Sequence, residues 1–465
     1  MSRDFPNILW IQCDELRADA LSCYPENPWI TPQTPNIQRI ADEGVVFEQA
    51  FCPSPVCMPS RGSEMTSQYV PTLGVYHNVT PYNRARYHFD TSWQTWTRVL
   101  RDEGYRAVNV GKLHIIDYDA WDESLSPPQF PNPRTLIATQ AENLGLVILP
   151  GIQLIVGGTY PLTDGAWESF GPHRVTALAL EKLAELQQGG HPWLLRVSFI
   201  APHTPVIAPP PFDRLYDPAA FLEGGESEET ACLSTYEQHV AEVQESDALT
   251  PAQVARARAT YYGLMSAVDQ EVGHLLDQVP EDTIVLFTAD HGTMLGELGR
   301  WQKQIFHYQV HRVPFILRAP GLTPGRRAAS MDLLDTGPTL LARCGVPIPE
   351  GFRGQDVLAE GYTGKDIFSA FGFGERDAYL YEALRRGPNC PRRICIRSDS
   401  YRLDLNVRLG GRRTDPETWD AFFCDRQVDP AEHRNAWGDT ETTETAAALV
   451  ARLLAWYDAM AVPGI

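Results

Sequence analysis

The stretch Asn7-Ile8-Leu9-Trp10-Ile11-Gln12-Cys13-Asp14-Glu15 decides the fold, because a short apolar run ends abruptly in two carboxylates. The run from Ile8 to Gln12 is too short for a helix and is apolar on both faces, as a strand covered from both sides must be. Similar runs follow at Ala107–Val110, Trp193–Ile200, Thr283–Thr288 and Pro314–Ala319. Between them, apolar residues recur at helical spacing over Thr34–Asp42, Thr95–Asp102, Val175–Leu186, Pro251–Val279 and Met331–Arg343. Strands alternating with helices predict an α/β fold with a mostly parallel central sheet.

In such sheets ligands bind beyond the carboxyl ends of the strands. That rule selects residues before any motif is invoked. Asp14 and Glu15 follow the first strand, Lys112 and His114 the second, His203 the third, and Asp290 and His291 the fourth. After about residue 365 the pattern changes to short strand-like pieces, Ile394–Arg397 and Tyr401–Leu405, and a final helix, Thr443–Met460. This predicts a catalytic α/β domain over 1–365 and a subdomain over 366–465 with a small antiparallel sheet and a terminal helix.

The chain has 465 residues, 43% of them hydrophobic and 21% charged, enough to bury a large core. Its 39 Lys and Arg against 59 Asp and Glu give a net charge of −20, which excludes a basic face for nucleic acid or for an anionic membrane. A local cationic site can still hold a small anionic ester. Residues 1–6 lead straight into the first strand, without the apolar stretch of a secretion signal, so a cytoplasmic location is expected. The most apolar stretch, Gly145–Gly158, is interrupted by Pro150 and Gly151 and is shorter than the roughly 20 residues that span a bilayer. It predicts core burial, with a homo-oligomer interface as the alternative. Nine cysteines, odd in number and irregularly spaced, predict core residues and not a disulfide framework.

Two shifts in charge stand out. Asp217–Asp247 holds nine acidic residues and no Lys or Arg, which predicts a solvated insertion. Arg385–Arg413 holds nine Arg against two acidic residues, which predicts a surface strand face, or alternatively a cationic rim for an anionic substrate.

Cys57-Met58-Pro59-Ser60-Arg61 precedes a predicted short helix, Gly62–Tyr69, whose first amides would face an anion. Alone it reads as a core cysteine beside a helix start. Its company changes the reading: Asp14-Glu15, Gly111-Lys112-Leu113-His114 and Thr288-Ala289-Asp290-His291-Gly292. On these residues the sequence resembles the type I sulfatases, whose Cys-x-Pro-Ser-Arg signature marks a cysteine oxidised to formylglycine. The resemblance extends to Thr34-Pro35-Asn36, Pro202-His203-Thr204-Pro205, Tyr261-Tyr262-Gly263 with Asp269, Trp301-x-Lys303, Arg312-Val313-Pro314 and Asp429-Pro430-x-Glu432. Asp14-Glu15-Leu16-Arg17, Ser54-Pro55-Val56 and the Asp290-His291 pair are most similar to the branch of phosphonate monoester hydrolases and choline-sulfatase-like enzymes.

The resemblance implies an alkaline-phosphatase-like αβα sandwich with a smaller C-terminal α+β subdomain. It implies a metal-dependent sulfuric ester hydrolase in which a modifying enzyme converts Cys57 to formylglycine. A phosphonate monoester or phosphodiester hydrolase with the same site is the alternative, and a catalytically inactive binding relative is another. Asp14, Asp290, His291 and an oxygen of the modified Cys57 would hold one divalent metal, with Glu15 either a further ligand or a substrate contact. That set suits Ca2+ or Mn2+, with Mg2+ or Zn2+ as the alternatives. Arg61 would anchor the modified residue and the metal carboxylates. Lys112 and Lys303 would neutralise the oxygens of the transferring group, and His114 and His203 would share the acid and base roles in an order the sequence leaves open. Asn78, Lys112, His203 and Lys303 would contact substrate. Trp301, His307, Tyr308 and His311 line the pocket or pack in the core. Met65-Thr66-Ser67 and Val56 depart from the family pattern around the signature.

Overall fold

The structure, a computed structural model, describes residues 5–78, 93–115, 120–127, 147–149, 154–160, 167–222, 233–244, 249–372, 391–409 and 412–461. Eight strands form the main sheet. In chain order they are β1 (Ile8–Asp14), β2 (Val45–Phe47), β3 (Arg106–Gly111), β4 (Glu123–Leu125), β5 (Trp193–Pro202), β6 (Ile284–Ala289), β7 (Phe315–Arg318) and β8 (Gly325–Arg327). Across the sheet they run β8-β2-β7-β6-β1-β5-β3-β4, and β7 alone runs against the others. β1 is buried along its whole length between β6 and β5, with Ile8 opposite both Ile284 and Leu194. The carboxyl ends of β1, β3, β5 and β6 therefore meet at one edge, with Asp14, Lys112, His203 and Asp290 there.

The strand expected over Pro314–Ala319 forms, but antiparallel to its neighbour. A parallel return needs a long crossover, usually a helix. Between β6 and β7 the chain has only short pieces, Met294–Leu295, Trp301–Gln302 and single turns at Glu297–Gly299 and Tyr308–His311.

Helices cover the sheet as α1 (Pro35–Asp42), α2 (Cys57–Thr66), α3 (Trp96–Asp102), α4 (Gly171–Gln188), α5 (Pro251–Leu276) and α6 (Thr336–Arg343). α1 and α4 pack on α5, whereas α2, α3 and α6 pack on one another. Alternation along β1 sets which residues meet the second group. Trp10 meets Trp96 of α3 at 5.1 Å between ring centroids, and Gln12, two residues on, meets Glu64 of α2. The helix expected over Met331–Arg343 is shorter than its pattern, because Asp332 and Asp335 form a capping box that starts a separate turn before α6.

A second, antiparallel sheet joins β9 (Ile367–Gly372), β10 (Pro391–Arg397), β11 (Tyr401–Leu409), β12 (Arg412–Arg413) and β13 (Ala421–Asp425). The closing helix α7 (Thr443–Met460) lays Leu449, Leu453 and Trp456 on it, and Trp456 stacks on Phe368 at 5.0 Å. Val70 and Tyr76 belong to the same apolar cluster, so the small sheet is packed against the segment that follows α2.

Strands at 147–149 and 154–159 lie within the apolar stretch and pair with each other, the latter also with Val206–Ala208; residues 145, 146 and 150–153 of that stretch lie outside the described residues. The seven described cysteines are buried and free. Among the described residues no helix is long and apolar enough to cross a membrane.

Within the two charge shifts, one acidic residue and three arginines depart from expectation, while Asp217, Glu242 and Arg413 are exposed and the other six acidic residues of 217–247 lie outside the described residues. Glu237, in the acidic segment, is buried beside Arg402 at 3.0 Å and His307 at 2.9 Å. Arg393, Arg397 and Arg402 are each at most 1% exposed and pair with Asp404, Asp420 and Glu432, neither a solvated face nor a cationic rim. Paired ions can be buried where unpaired ones cannot. Arg385 and Arg386 lie outside the described residues.

Candidate active site

Cys57 is the first residue of α2, so Cys57–Arg61 is the opening turn of the helix and does not precede it. Pro59 is no obstacle there, because the first-turn amides have no intrahelical partner in any case. Val56, with φ −149°, brings the chain in extended, and every residue of α2 is buried. The Cys57 side chain is thus fixed at the edge where β1 and β6 end.

Four groups converge on its sulfur. Lys303 Nζ lies 3.0 Å from Sγ, His291 Nε2 3.2 Å and Asp14 Oδ1 3.6 Å, and the His114 side chain is hydrogen-bonded to it as well. Burial opposes ionisation of the thiol, but Lys112, Lys303 and His291 outweigh it and hold the group well below the usual thiol range. Cys52, buried without such partners, is pushed up instead by burial and by Asp290.

Beneath the cysteine, Arg61 bridges the two acids that end the central strands. Its Nε donates to Asp290 Oδ2 at 2.7 Å and its Nη2 to Asp14 Oδ2 at 3.0 Å, while Nη1 reaches Ser198 Oγ and the Lys112 carbonyl. Lys112 Nζ also pairs with Asp14. Burial and Cys57 push the Asp14 carboxyl up, and Lys112, His203 and Arg61 bring it well below the usual carboxylate range. His291 moves the other way, up to about 9: burial lowers it, and Asp290 more than compensates.

Glu15 takes a left-handed φ of 64°, which turns its side chain back towards the site. Oε1 accepts from Thr293 Oγ1 at 2.9 Å, and Oε2 faces Lys303 at 3.2 Å and His203 Nε2 at 3.4 Å. Lys303 sits between Gln302 and Gln304, both at positive φ (63° and 75°), a strained turn of the kind that functional sites hold in place. Gly111, at φ +95°, sets up Lys112: a Cβ there would lie 2.1 Å from the Ser198 carbonyl oxygen.

Asp14, Cys57, Asp290 and His291 bring one ligand atom each within 4.8 Å of one another, all buried. Two carboxylates, an imidazole and the residue-57 side chain, at the focus of a closed edge, suit a divalent cation. Glu15 falls in a neighbouring group with Asp14 and His203. Asn78 is placed differently from a free substrate contact, because its Oδ1 accepts the Met58 N–H at 2.9 Å and holds the start of α2. His307 and His311 do not line this site. Both are buried, His307 against Glu237 and His311 against Ser369 at 2.6 Å.

Sequence reasoning missed the layer below Arg61. Gln12 accepts from Arg61 and Arg196 and donates to Glu64 at 2.6 Å, and Arg196 reaches Asn109 at 2.6 Å and covers the Trp10 ring. Burial pushes the Glu64 carboxyl up to about 7. The signal was present: Gln12 is two residues before Asp14 on a strand, hence on the same face.

Lys112, His114 and His203 border a cleft of about 530 Å3 whose walls include Phe170, Ile200, Ile207 and Leu264. His114 is half-buried, and its Nδ1 has no hydrogen-bond partner among the described residues. Burial and Lys112 lower its pKa, so the ring is neutral near pH 7. His203 is 21% exposed at the cleft, with Nδ1 2.7 Å from the Thr204 carbonyl.

Residues 6–346 match the sulfatase family model, and residues 296–458 match the model of the C-terminal part of N-sulphoglucosamine sulphohydrolase. A choline-sulfatase of Rhizobium meliloti is 29% identical over 381 residues, covering 75% of this chain and 70% of that protein. Among solved structures, a phosphonate monoester hydrolase from Silicibacter pomeroyi aligns with a TM-score of 0.75 at 22% identity, covering 97% of this chain and 94% of its own. One from Agrobacterium radiobacter aligns with a TM-score of 0.74 at 20% identity, covering 98% and 96%. The shared architecture is the alkaline-phosphatase-like fold.

Proposed function

The chain belongs to the sulfatase family, hydrolases acting on sulfuric ester bonds, and on that premise we propose that it cleaves a sulfate monoester with a formylglycine made from Cys57 and one divalent cation. The observation that carries this reading is the surround of Cys57: a buried side chain at a helix start that meets Lys303, His291, His114 and Asp14 at once. A purely structural cysteine needs none of these.

Asp14, Asp290 and His291 would hold the cation beside residue 57, with Ca2+ or Mn2+ suited to the oxygen-rich set. Bound there, such a cation would supply Lewis-acid activation and offset charge on the ester, and the hydrated aldehyde made from Cys57 would be the nucleophile. Lys112 and Lys303 neutralise the ester's other oxygens, in a pocket where positive charge is fixed before the reaction begins. Arg61 keeps Asp14 and Asp290 in register. His114, neutral and bonded to the residue-57 side chain, takes the proton there. His203, at the cleft, gives one to the departing alcohol, and Glu15 orients it. The alcohol portion lies in the cleft beyond His203.

A phosphonate monoester presents the same singly charged tetrahedral group, so the same residues serve that reaction as the second reading. Its support is the likeness of Asp14-Glu15-Leu16-Arg17 and Asp290-His291 to that branch. The first experiment is mass spectrometry of the tryptic peptide Ile40–Arg61 from the native source, in which Cys52 is an internal control. An aldehyde at residue 57 with a thiol at 52 is expected, and two thiols overturn the formylglycine reading. Comparison of kcat/KM for matched aryl sulfate and aryl phosphonate esters then decides the substrate, a large phosphonate preference overturning the first reading. No metal after dialysis, with no hydrolysis once metal is restored, would mark an inactive binding relative.

A further inference from the structure

We propose a second metal site, outside the Cys57 pocket, in which His173 of α4 and Glu271 and His274 of α5 hold one Zn2+-like cation. Glu271 and His274 are one turn apart and share a face of α5, and His173 comes from the first turn of α4 opposite them. His173 Nδ1 lies 3.1 Å from Glu271 Oε1, and His274 Nδ1 lies 3.4 Å from Oε2. One ligand atom from each of the three falls within 4.8 Å of the others.

The carboxylate is what demands a partner. Glu271 is wholly buried, and an unpaired buried carboxylate is costly. Among the described residues no Lys or Arg forms an ion pair with it, and its side-chain partners there are the two imidazoles and Trp167. Trp167 Nε1 donates to Oε1 at 2.7 Å and fixes the carboxylate's orientation, as outer hydrogen bonds do for metal ligands. A divalent cation would neutralise the carboxylate without charging either ring. Each neutral imidazole would carry its proton on Nε2 and offer the Nδ1 lone pair.

Two nitrogens and one oxygen select a borderline metal, Zn2+ before Ca2+ or Mg2+, unlike the oxygen-rich set at Cys57. The side chains of His173 and His274 are 24% and 44% exposed, which leaves an entry path and room for water to complete the coordination. The ion would also tie the start of α4 to α5. Phe170, Pro172 and Arg174, around that start, form part of the wall of the cleft, so loading would stiffen the wall.

The test is Zn2+ titration of metal-stripped full-length protein by calorimetry, with anomalous diffraction at the zinc edge from crystals soaked in Zn2+ alone. Wild type should show an anomalous peak between His173 and His274. The His173→Ala/His274→Ala variant should bind one Zn2+ fewer, or bind it at least tenfold more weakly, and lose the corresponding rise in Tm. If the double variant folds poorly, the more exposed His274→Ala alone should show the same tenfold loss. Unchanged stoichiometry and affinity, or a peak at the Cys57 site only, overturns the proposal.

Discussion

Lys303 Nζ lies 3.2 Å from Glu15 Oε2, and the same ammonium lies 3.0 Å from Cys57 Sγ, so the glutamate holds the lysine against the Cys57 side chain. Glu15's other oxygen is taken by Thr293 and its carbonyl by the Tyr261 hydroxyl. Both ends of the residue are therefore fixed. Its Oε2 thus lies between Lys303 Nζ and His203 Nε2. Glu15→Gln should lower kcat/KM by about 100-fold or more, the scale on which a preorganised charge acts, while leaving metal content per chain unchanged. Parallel metal analysis and steady-state kinetics check this; a loss of metal in proportion to activity would make Glu15 a ligand instead.

Arg61 is the joint between the strands that carry Asp14 and Asp290, and only a planar fork reaches both at once. Arg61→Lys keeps the charge but can reach only one of the two carboxylates, leaving the other and the Lys112 carbonyl buried without the donors Arg61 gave them. A loss of about 3 kcal/mol in unfolding free energy is expected from breaking a buried pair, together with weaker metal retention. Urea unfolding measures the first, and a midpoint within error of wild type would show that the bridge contributes nothing to the fold.

Much of this was readable in the chain, for physical reasons that differ by element. β1 was legible because both its faces are buried, which leaves an uninterrupted apolar run, and the strand-end rule then located Asp14, Lys112, His203 and Asp290. The opening of α2 was misread because Pro59 looks like a boundary, although a first turn tolerates it. The direction of β7 depends on the crossover before it and has no local signature. The buried arginines were illegible because their partners are remote: Arg402 and Glu237 are 165 residues apart in sequence, so each looks like a surface charge until the fold pairs them.

Gly111 tests how tightly the lysine loop is built. At φ +95° and with a Cβ position 2.1 Å from a β5 carbonyl, no side chain fits without moving β3 from β5. Gly111→Ala should shift Lys112 off Asp14 and cost about 1–3 kcal/mol from backbone strain alone, with a fall in kcat larger than the rise in KM. Kinetics at a temperature well below the variant's own Tm separate the two effects. Wild-type kcat at that temperature would mean that the loop tolerates the displacement.

Glu432, at the end of Asp429-Pro430-x-Glu432, gives that motif a structural reason. It is fully buried, with one oxygen on Arg397, the other 2.9 Å from Arg402, and Arg426 at 3.2 Å. Burial would raise its carboxyl, but Arg397 and Arg402 hold it well below the usual carboxylate range. A folded-state pKa below the unfolded value means that the group's contribution is present above about pH 4 and is lost as pH falls from there towards the depressed folded value. Glu432→Gln takes from Arg397 its carboxylate partner and from Arg402 one of three, the others being Glu237 and Asp404, so at pH 7 it should cost about 3–5 kcal/mol. The difference from wild type should narrow steadily as pH is lowered below about 4, where protonation removes the charge from the unfolded wild-type chain first. Denaturant unfolding of both proteins from pH 7 to pH 3 measures this, and a gap that stays constant with pH would mean that Glu432 acts through packing and not through charge.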